Sequence, residues 1–246
     1  MLRQAGRFEF KYRITYTQYH AIRNAIVPYM RHDEYTARTK ARRYLVRSLY
    51  YETDSFGIYA QKMAGDYGRV KYRLRAYTDT PRADRPVRVE MKVRRGESLS
   101  KYQRFVPFDE YEHFIRRKQW MEAGVDPVLE EFARGVHLSA LQPSVLVDYH
   151  REAYTSRAGD GLRLTFDHGV RSAHAHELYP GPAPFFRTHH SYEVVLEVKY
   201  RLVPPPWLKH IVHGYGLRLV ANSKFTQGIE AGRRDRHYPN GVLVVR

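Results

Sequence analysis

Arg69, Lys71, Arg73 and Arg75 occupy every second position of one stretch, Arg69 to Tyr77. Alternate side chains of a strand share a face, so these four cations point one way and Val70, Tyr72, Leu74 and Ala76 the other. Like charges on one face repel, and a polyanion is their natural complement. A solvated outer face explains a single such strand equally well. The pattern recurs, however. Arg7, Glu9, Lys11 and Arg13 alternate with Phe8, Phe10, Tyr12 and Ile14. Arg88, Glu90, Lys92 and Arg94 alternate with Val87, Val89, Met91 and Val93. Glu193, Val195, Glu197 and Lys199 share one face, as do Tyr149, Arg151 and Ala153, while Arg163, Thr165 and Asp167 oppose Leu162, Leu164 and Phe166.

Arg offers forked hydrogen bonds to phosphate oxygens and Lys a point charge, so such faces suit a chain of phosphates. An exposed antiparallel sheet is also polar on one side, but usually with mixed residue types. These faces are rich in Arg, with isolated carboxylates at Glu9, Glu90 and Glu197. Closing the sheet into a barrel turns the charged face inward to line a tunnel. The carboxylates then supply the oxygen ligands that Mg²⁺ and Mn²⁺ take while bridging phosphates.

The elements that must position these residues follow from the same periodicity. Thr17 is a candidate N-cap for a helix to about Met30, with Ile22 and Ile26 on its apolar stripe and Pro28 to end or bend it. Strands are expected at Tyr44–Thr53 and Val87–Arg95, and a hairpin turn around Lys62 and Gly65–Gly68. Lys101 and Arg104 follow a Gly-Ser loop. A helix is expected from Asp109 to Trp120, and another from Asp126 as N-cap with Pro127 at the first helical position. Strands return at Pro143–Tyr154, Gly161–Asp167 and Tyr192–Tyr200, with residues 171–190 as a loop between the last two. A short helix carries Trp207, Leu208 and Ile211, with Trp207 read as core. Asn222 is a candidate cap for a last helix containing Lys224, and the tail after Arg233 is polar.

Composition narrows the function classes. The chain has 246 residues and 43% hydrophobic content, enough for a sizeable core. A net charge of +16 points to an anionic partner: nucleic acid, acidic lipid or a phosphorylated molecule. There is no cysteine, which removes disulfides and thiolate chemistry. Met1 to Lys11 has no apolar signal-peptide core, and no apolar run approaches the roughly 20 residues of a membrane helix. The expectation is one domain over 1–246, with its core at about 7–230, in a cytoplasmic protein.

Eight motifs in order resemble one family: Glu9-Phe10-Lys11-Tyr12, Ser48-Leu49-Tyr50-Tyr51, Lys71-Tyr72-Arg73-Leu74-Arg75, Glu90-Met91-Lys92, Tyr149-His150-Arg151-Glu152-Ala153-Tyr154, Arg163-Leu164-Thr165-Phe166-Asp167, Leu196-Glu197-Val198-Lys199 and Ser223-Lys224-Phe225. Together they resemble the VTC (vacuolar transporter chaperone) polyphosphate polymerase domain, of the triphosphate tunnel metalloenzymes or CYTH-like superfamily. The resemblance implies an α+β fold, a closed antiparallel β-barrel tunnel with helices packed outside. It implies transfer of the ATP γ-phosphoryl group onto inorganic polyphosphate, or onto pyrophosphate or phosphate, with Mn²⁺ or Mg²⁺. By motif position Lys11, Arg73, Arg75, Lys92, Arg151 and Arg163 serve the transfer. Lys71, Lys101, Lys199 and Lys224 add to phosphate binding. Tyr50 either joins them or is a core or rim aromatic. Glu197 is the implied metal ligand, and Glu9 is either a second ligand or an ion-pair partner.

Two departures matter. The superfamily's triphosphatases carry paired carboxylates before the lysine, and here the earlier position is Arg7. Eukaryotic family members carry an extra lysine where this chain has Ala221. The alternative activities are a tunnel triphosphatase or nucleotidase, and a polyanion- or nucleic-acid-binding protein without catalysis. No nucleic acid is expected, because the strand pattern sets most aromatics opposite the cations and stacking on bases needs them together. His174, His176, His189 and His190 read as solvated loop residues ahead of a metal site, Glu90 as an ion-pair partner of nearby cations ahead of an extra metal ligand, Asp167 as a turn residue or partner of Arg163, and Arg116, Arg117 and Lys118 as a solvated face or a secondary patch for long polyphosphate.

Overall fold

The structure, a computed structural model, describes residues 8–121, 124, 126–201 and 203–236. Arg7 and the end of the polar tail lie outside these residues. Among them are seven helices and a large antiparallel sheet, an α+β fold. Contacts divide the chain into two compact units: Met1–Leu45, Tyr149–Val170 and Thr188–Ser223 form one, and Val46–Asp148, Arg171–Arg187 and Lys224–Arg246 the other.

In the first unit β1 (Phe8–Thr15) pairs with β10 (Glu193–Tyr200), and β10 with β8 (Arg163–His174). A short β2 (Met30–His32) pairs with β7 (Gln142–Ser156). The strand β1 runs directly into α1 (Tyr16–Ala25). Thr15 Oγ1 accepts from the Gln18 amide at 3.2 Å, and the Gln18 side chain accepts from the Thr15 amide at 2.9 Å. This reciprocal box puts the cap at Thr15 rather than Thr17, because the glutamine that closes it stands three residues after Thr15. The helix stops at Ala25, short of Met30, which is taken into β2. Ile22 and Ile26 are fully buried, with Ile14, Leu164, Phe166 and Leu196, in the core of this unit. Trp207, on α6 (Pro206–Gly214), is not part of that buried set; it is half-buried and stacks on Tyr29 with ring centroids 4.4 Å apart.

One carboxylate lies inside this core. Glu152 accepts from Tyr19 at 2.6 Å, Tyr154 at 2.5 Å and Arg23 at 2.8 Å. Burial would raise its pKa, but the His168 imidazole 3.7 Å away and hydrogen bonds from Tyr154, Tyr19 and Arg23 outweigh burial and hold it well below the usual carboxylate range. A buried charge is tolerated only when its hydrogen bonds are made.

In the second unit β3 (Tyr44–Glu52), β4 (Gly68–Ala76), β5 (Val87–Arg95) and β6 (Ser98–Val106) pair antiparallel in sequence order. Lys101 and Arg104, which follow the Gly-Ser loop, therefore lie on a strand. Lys62, expected in the hairpin turn, lies instead within a helix, α3 (Gly57–Ala64), and only residues 65–67 connect it to β4. It starts where Glu52 accepts from the Ile58 amide at 2.9 Å, a cap from outside the helix that local pattern does not display. The stretch expected as a loop over 171–190 gives its first residues to β8, and Arg187–Thr188 form the short β9. The helices α4 (Phe108–Arg117) and α5 (Pro127–Leu138) follow the expected signals, with Asp126 accepting from the Val128 and Leu129 amides. Phe132 of α5 meets Tyr51, Tyr72 and Phe114 edge-on. Gly135 allows the same helix to approach the sheet, since a Cβ there would stand 2.5 Å from the Tyr72 ring. The last helix, α7, spans Lys224–Arg236.

The order of paired strands begins at β1 and ends at β6, and no pairing between those ends is found among the described residues. The described residues thus show a large antiparallel sheet, and their strand pairing does not by itself close it into the expected barrel. The free edge of β1 is bordered instead by its own unit's segment around Leu219: Tyr12 bridges Leu219, and the Val220 amide donates to the Lys11 carbonyl at 2.9 Å. No helix among the described residues is long and apolar enough to cross a membrane.

Candidate functional site

The second unit holds a basic face. Register sets Arg69 beside Arg94, Lys71 beside Lys92 and Lys92 beside Lys101, Arg73 beside Glu90, and Arg75 beside Arg88. Like charges directly opposite on neighbouring strands are destabilising, so a row of three lysines across β4, β5 and β6 is costly without an anion. Glu90 is the acid on this face of the three strands. It pairs with Arg73, with Arg75 at 3.6 Å, with Arg88 at 3.7 Å and with Lys101 at 2.5 Å. Burial would push its pKa up, but Arg73, Arg75 and Lys101 hold it far below the usual range. Partial burial pushes the Lys101 ammonium down to about 8, against the pull of Glu90.

Tyr50 is buried and accepts from Arg73 Nη1 at 2.9 Å. Burial raises its pKa, but Arg73, Arg75 and Lys224 outweigh burial and bring the phenol to about 8. Lys224 opens α7 in this unit, and the Lys71 ammonium stands 4.8 Å over the ring of Phe225. Arg73, Arg75, Lys92, Lys71, Lys101, Tyr50 and Lys224 are thus gathered in one unit.

The first unit holds the other predicted residues, and here the charges balance. Lys11 lies 3.0 Å from Glu9, and Lys199 contacts both Glu197 and, at 3.5 Å, Glu9. Register explains it: Lys11 is opposite Glu197 and Glu9 is opposite Lys199, so opposite signs meet across the β1–β10 pair. Arg151 forks onto Asp167 at 2.7 and 2.9 Å and lies 3.9 Å from Glu197. Arg163 reaches Asp33 at 2.9 Å. Asp167 is therefore the partner of Arg151, not of Arg163. Asp33 was not singled out in the sequence because its pattern is that of a helix cap, and it is one: its side chain accepts from the Thr36 amide at the start of α2 (Glu34–Arg38). Burial would lower the pKa of Lys11, but Glu197, Glu9 and Asp167 outweigh it and raise it. The same balance, with Asp167 dominant after burial, lifts Arg151 well above its usual range.

Glu9 and Glu197 offer the hard oxygen donors that Mg²⁺ or Mn²⁺ prefer. Among the described residues no three His, Cys, Asp or Glu side chains converge as a metal cluster. Two carboxylates fit a cation that keeps waters and completes its shell with phosphate oxygens, the habit of Mg²⁺. Lys199 lies between the two, where a divalent cation would displace it.

The VTC domain family model matches residues 6–232. No curated protein matches the chain. A putative adenylate cyclase from Bacillus halodurans is 12% identical with a TM-score of 0.52, covering 87% of this chain and 92% of its own. A putative adenylyl cyclase from Hippeastrum, described as having a dominant triphosphatase activity, is 14% identical with a TM-score of 0.50, covering 92% and 97%. At such identity these two speak for the fold alone. The family match spans nearly the whole described chain and includes every site residue above: the chain belongs to the VTC domain family.

Proposed function

We propose that the chain is a metal-dependent polyphosphate polymerase that transfers the ATP γ-phosphoryl group to a growing inorganic polyphosphate chain, within a closed tunnel formed by 1–246 as one VTC-like domain in the cytoplasm. The observation that carries this reading is the charge-excess face of the second unit, where Lys71, Lys92 and Lys101 stand side by side next to Arg73 and Arg75. Membership of the VTC family supports it. A face of this kind attracts any polyphosphate, so it supports the substrate class more strongly than the reaction.

Phosphoryl transfer asks for positioning and charge neutralisation more than for covalent help. Arg73 and Arg75 hold phosphate oxygens through their forks, with Lys71, Lys92, Lys101 and Lys224 as point charges and Tyr50 as a hydroxyl donor. In the first unit Lys11, Arg151, Arg163 and Lys199 are the phosphate-binding cations once Glu9 and Glu197 turn to a cation. Glu197, with Glu9, would hold a divalent cation, which would supply Lewis-acid neutralisation of phosphate oxygens. The acceptor phosphate arrives ionised, so no side-chain base is required.

A second reading is hydrolysis of triphosphate on the same residues, favoured by the triphosphatase activity of the Hippeastrum protein with this fold. Incubating the protein with ATP and Mn²⁺ and staining the products for polyphosphate on a gel separates the two. A ladder that Glu197→Gln lacks establishes the polymerase. Orthophosphate without a ladder establishes the hydrolase, and no turnover with any metal overturns both.

A further inference from the structure

Glu90 lies at the centre of the basic face and takes no part in the mechanism above. Its side chain is 2% exposed. Arg73 and Arg75 from β4, Arg88 from its own strand and Lys101 from β6 all turn to its two oxygens. Four cations from three strands thus converge on one anion. A phosphate group offers the same sign of charge and the same fit to a guanidinium fork.

We propose that Glu90 is a positioning residue that stands in for phosphate: it aims Arg73, Arg75 and Lys101 at one point in the empty site, and they exchange its oxygens for those of the entering anion. This rests on the phosphate-site reading above. Binding then replaces ion pairs rather than creating them, and the carboxylate takes the cations back as the anion leaves. The site holds its ligand less tightly than its cations alone would, and releases it faster.

Glu90 also governs the charge of Lys101. The groups facing that ammonium are Glu90 and Lys92 on β5 and Lys71, Arg73 and Arg75 on β4. Glu90 is the acid among them, so its removal leaves burial and cations to discharge Lys101 at lower pH.

The test is calorimetric titration of the full chain with tripolyphosphate from pH 6 to 9, for wild type and Glu90→Gln. At pH 6 Glu90→Gln binds about tenfold more tightly, the effect of one unit charge removed beside the anion. Its affinity then falls at lower pH than that of the wild type. Equal or weaker binding at pH 6 in a folded Glu90→Gln, or an unchanged pH profile, overturns the proposal. A wild type that does not bind tripolyphosphate at all overturns the phosphate-site reading itself, and is distinct from both results. A second measurement needs no variant: on adding tripolyphosphate to the wild type, the Nε–H resonances of Arg73 and Arg75 move, whereas that of Arg47, paired with Asp148, does not. Unmoved Arg73 and Arg75 signals with tripolyphosphate bound overturn the exchange.

Discussion

The phenol oxygen of Tyr50 accepts a hydrogen bond from Arg73 at 2.9 Å and keeps its own proton to give. With its pKa brought to about 8, Tyr50 is a donor at neutral pH and an anion above it. A phenolate beside the site repels phosphate. Affinity for tripolyphosphate therefore falls as pH rises through about 8, and Tyr50→Phe falls less than the wild type between pH 7 and pH 9. Titrations at those two values decide it. An undiminished fall in Tyr50→Phe would assign the loss to Lys101, which discharges over the same range.

Arginines on the two faces of the second unit's sheet give opposite phenotypes. Arg47 forks onto buried Asp148 at 2.9 and 2.7 Å. Arg47→Ala leaves that carboxylate only the half-exposed Arg171, 3.6 Å away, and costs about 3 kcal/mol of stability, read from denaturant unfolding, without weakening tripolyphosphate binding in the folded protein. Arg73→Ala weakens binding about 10- to 100-fold, the loss of charge-assisted hydrogen bonds, with a much smaller change in unfolding midpoint.

Glu197 and Glu9 differ in burial, with side chains 6% and 25% exposed. Glu197→Gln abolishes Mn²⁺-stimulated turnover, whereas Glu9→Gln keeps part of it and needs more metal. Titrating Mn²⁺ by its electron paramagnetic signal checks this apart from activity: Glu197→Gln binds least, and equal binding by all three proteins would remove both carboxylates from the metal site.

Glu52 is a pH-dependent weak point. Burial pushes its carboxyl up to about 7, although the amides of Tyr59 and Ile58 and the charge of Lys71 partly offset this. The folded pKa exceeds the unfolded one, so the acid is favoured in the native state below about pH 4.5, and stability is lost as pH rises through about 7. The neutral isostere Glu52→Gln keeps an oxygen for the α3 amides and gains roughly 3 kcal/mol over the wild type at pH 8, but little at pH 4. Melting curves at the two pH values test this, and equal gains at both would refute the linkage.

Much of this was legible because a strand's period is two. The strands carrying Arg73, Glu90, Arg151 and Glu197 were readable from alternation alone, and so was the charged face. Partner choice was not. Alternation places Arg163 and Asp167 on one face of β8, but Arg151 comes from another strand and takes Asp167, a matter of register between strands distant in sequence. The motif from Tyr149 to Tyr154 also mixes two roles. Arg151 lies on the charged face and pairs with Asp167, while Glu152 and Tyr154 belong to the buried network under α1. The helix α3 was missed because its cap comes from Glu52 in the preceding strand. Strand closure was suggested by the charged faces and implied by the family resemblance, but no residue pattern forces it, and the segment at Leu219 that borders β1 carries no strand-like alternation.

The lysine row has a consequence for how this protein is handled. Neighbouring strands stand about 4.8 Å apart, so folding must bring the Lys71, Lys92 and Lys101 backbones to that spacing with three like charges attached. Glu90 at 2.5 Å offsets Lys101 and Glu52 lies within the field of Lys71, and a bound anion adds to that neutralisation of the row. A polyanion bound there then acts as a folding ligand. Sulfate or phosphate in the buffer raises the melting temperature well beyond equal ionic strength of chloride, and a preparation stripped of anions is the least stable form of the protein.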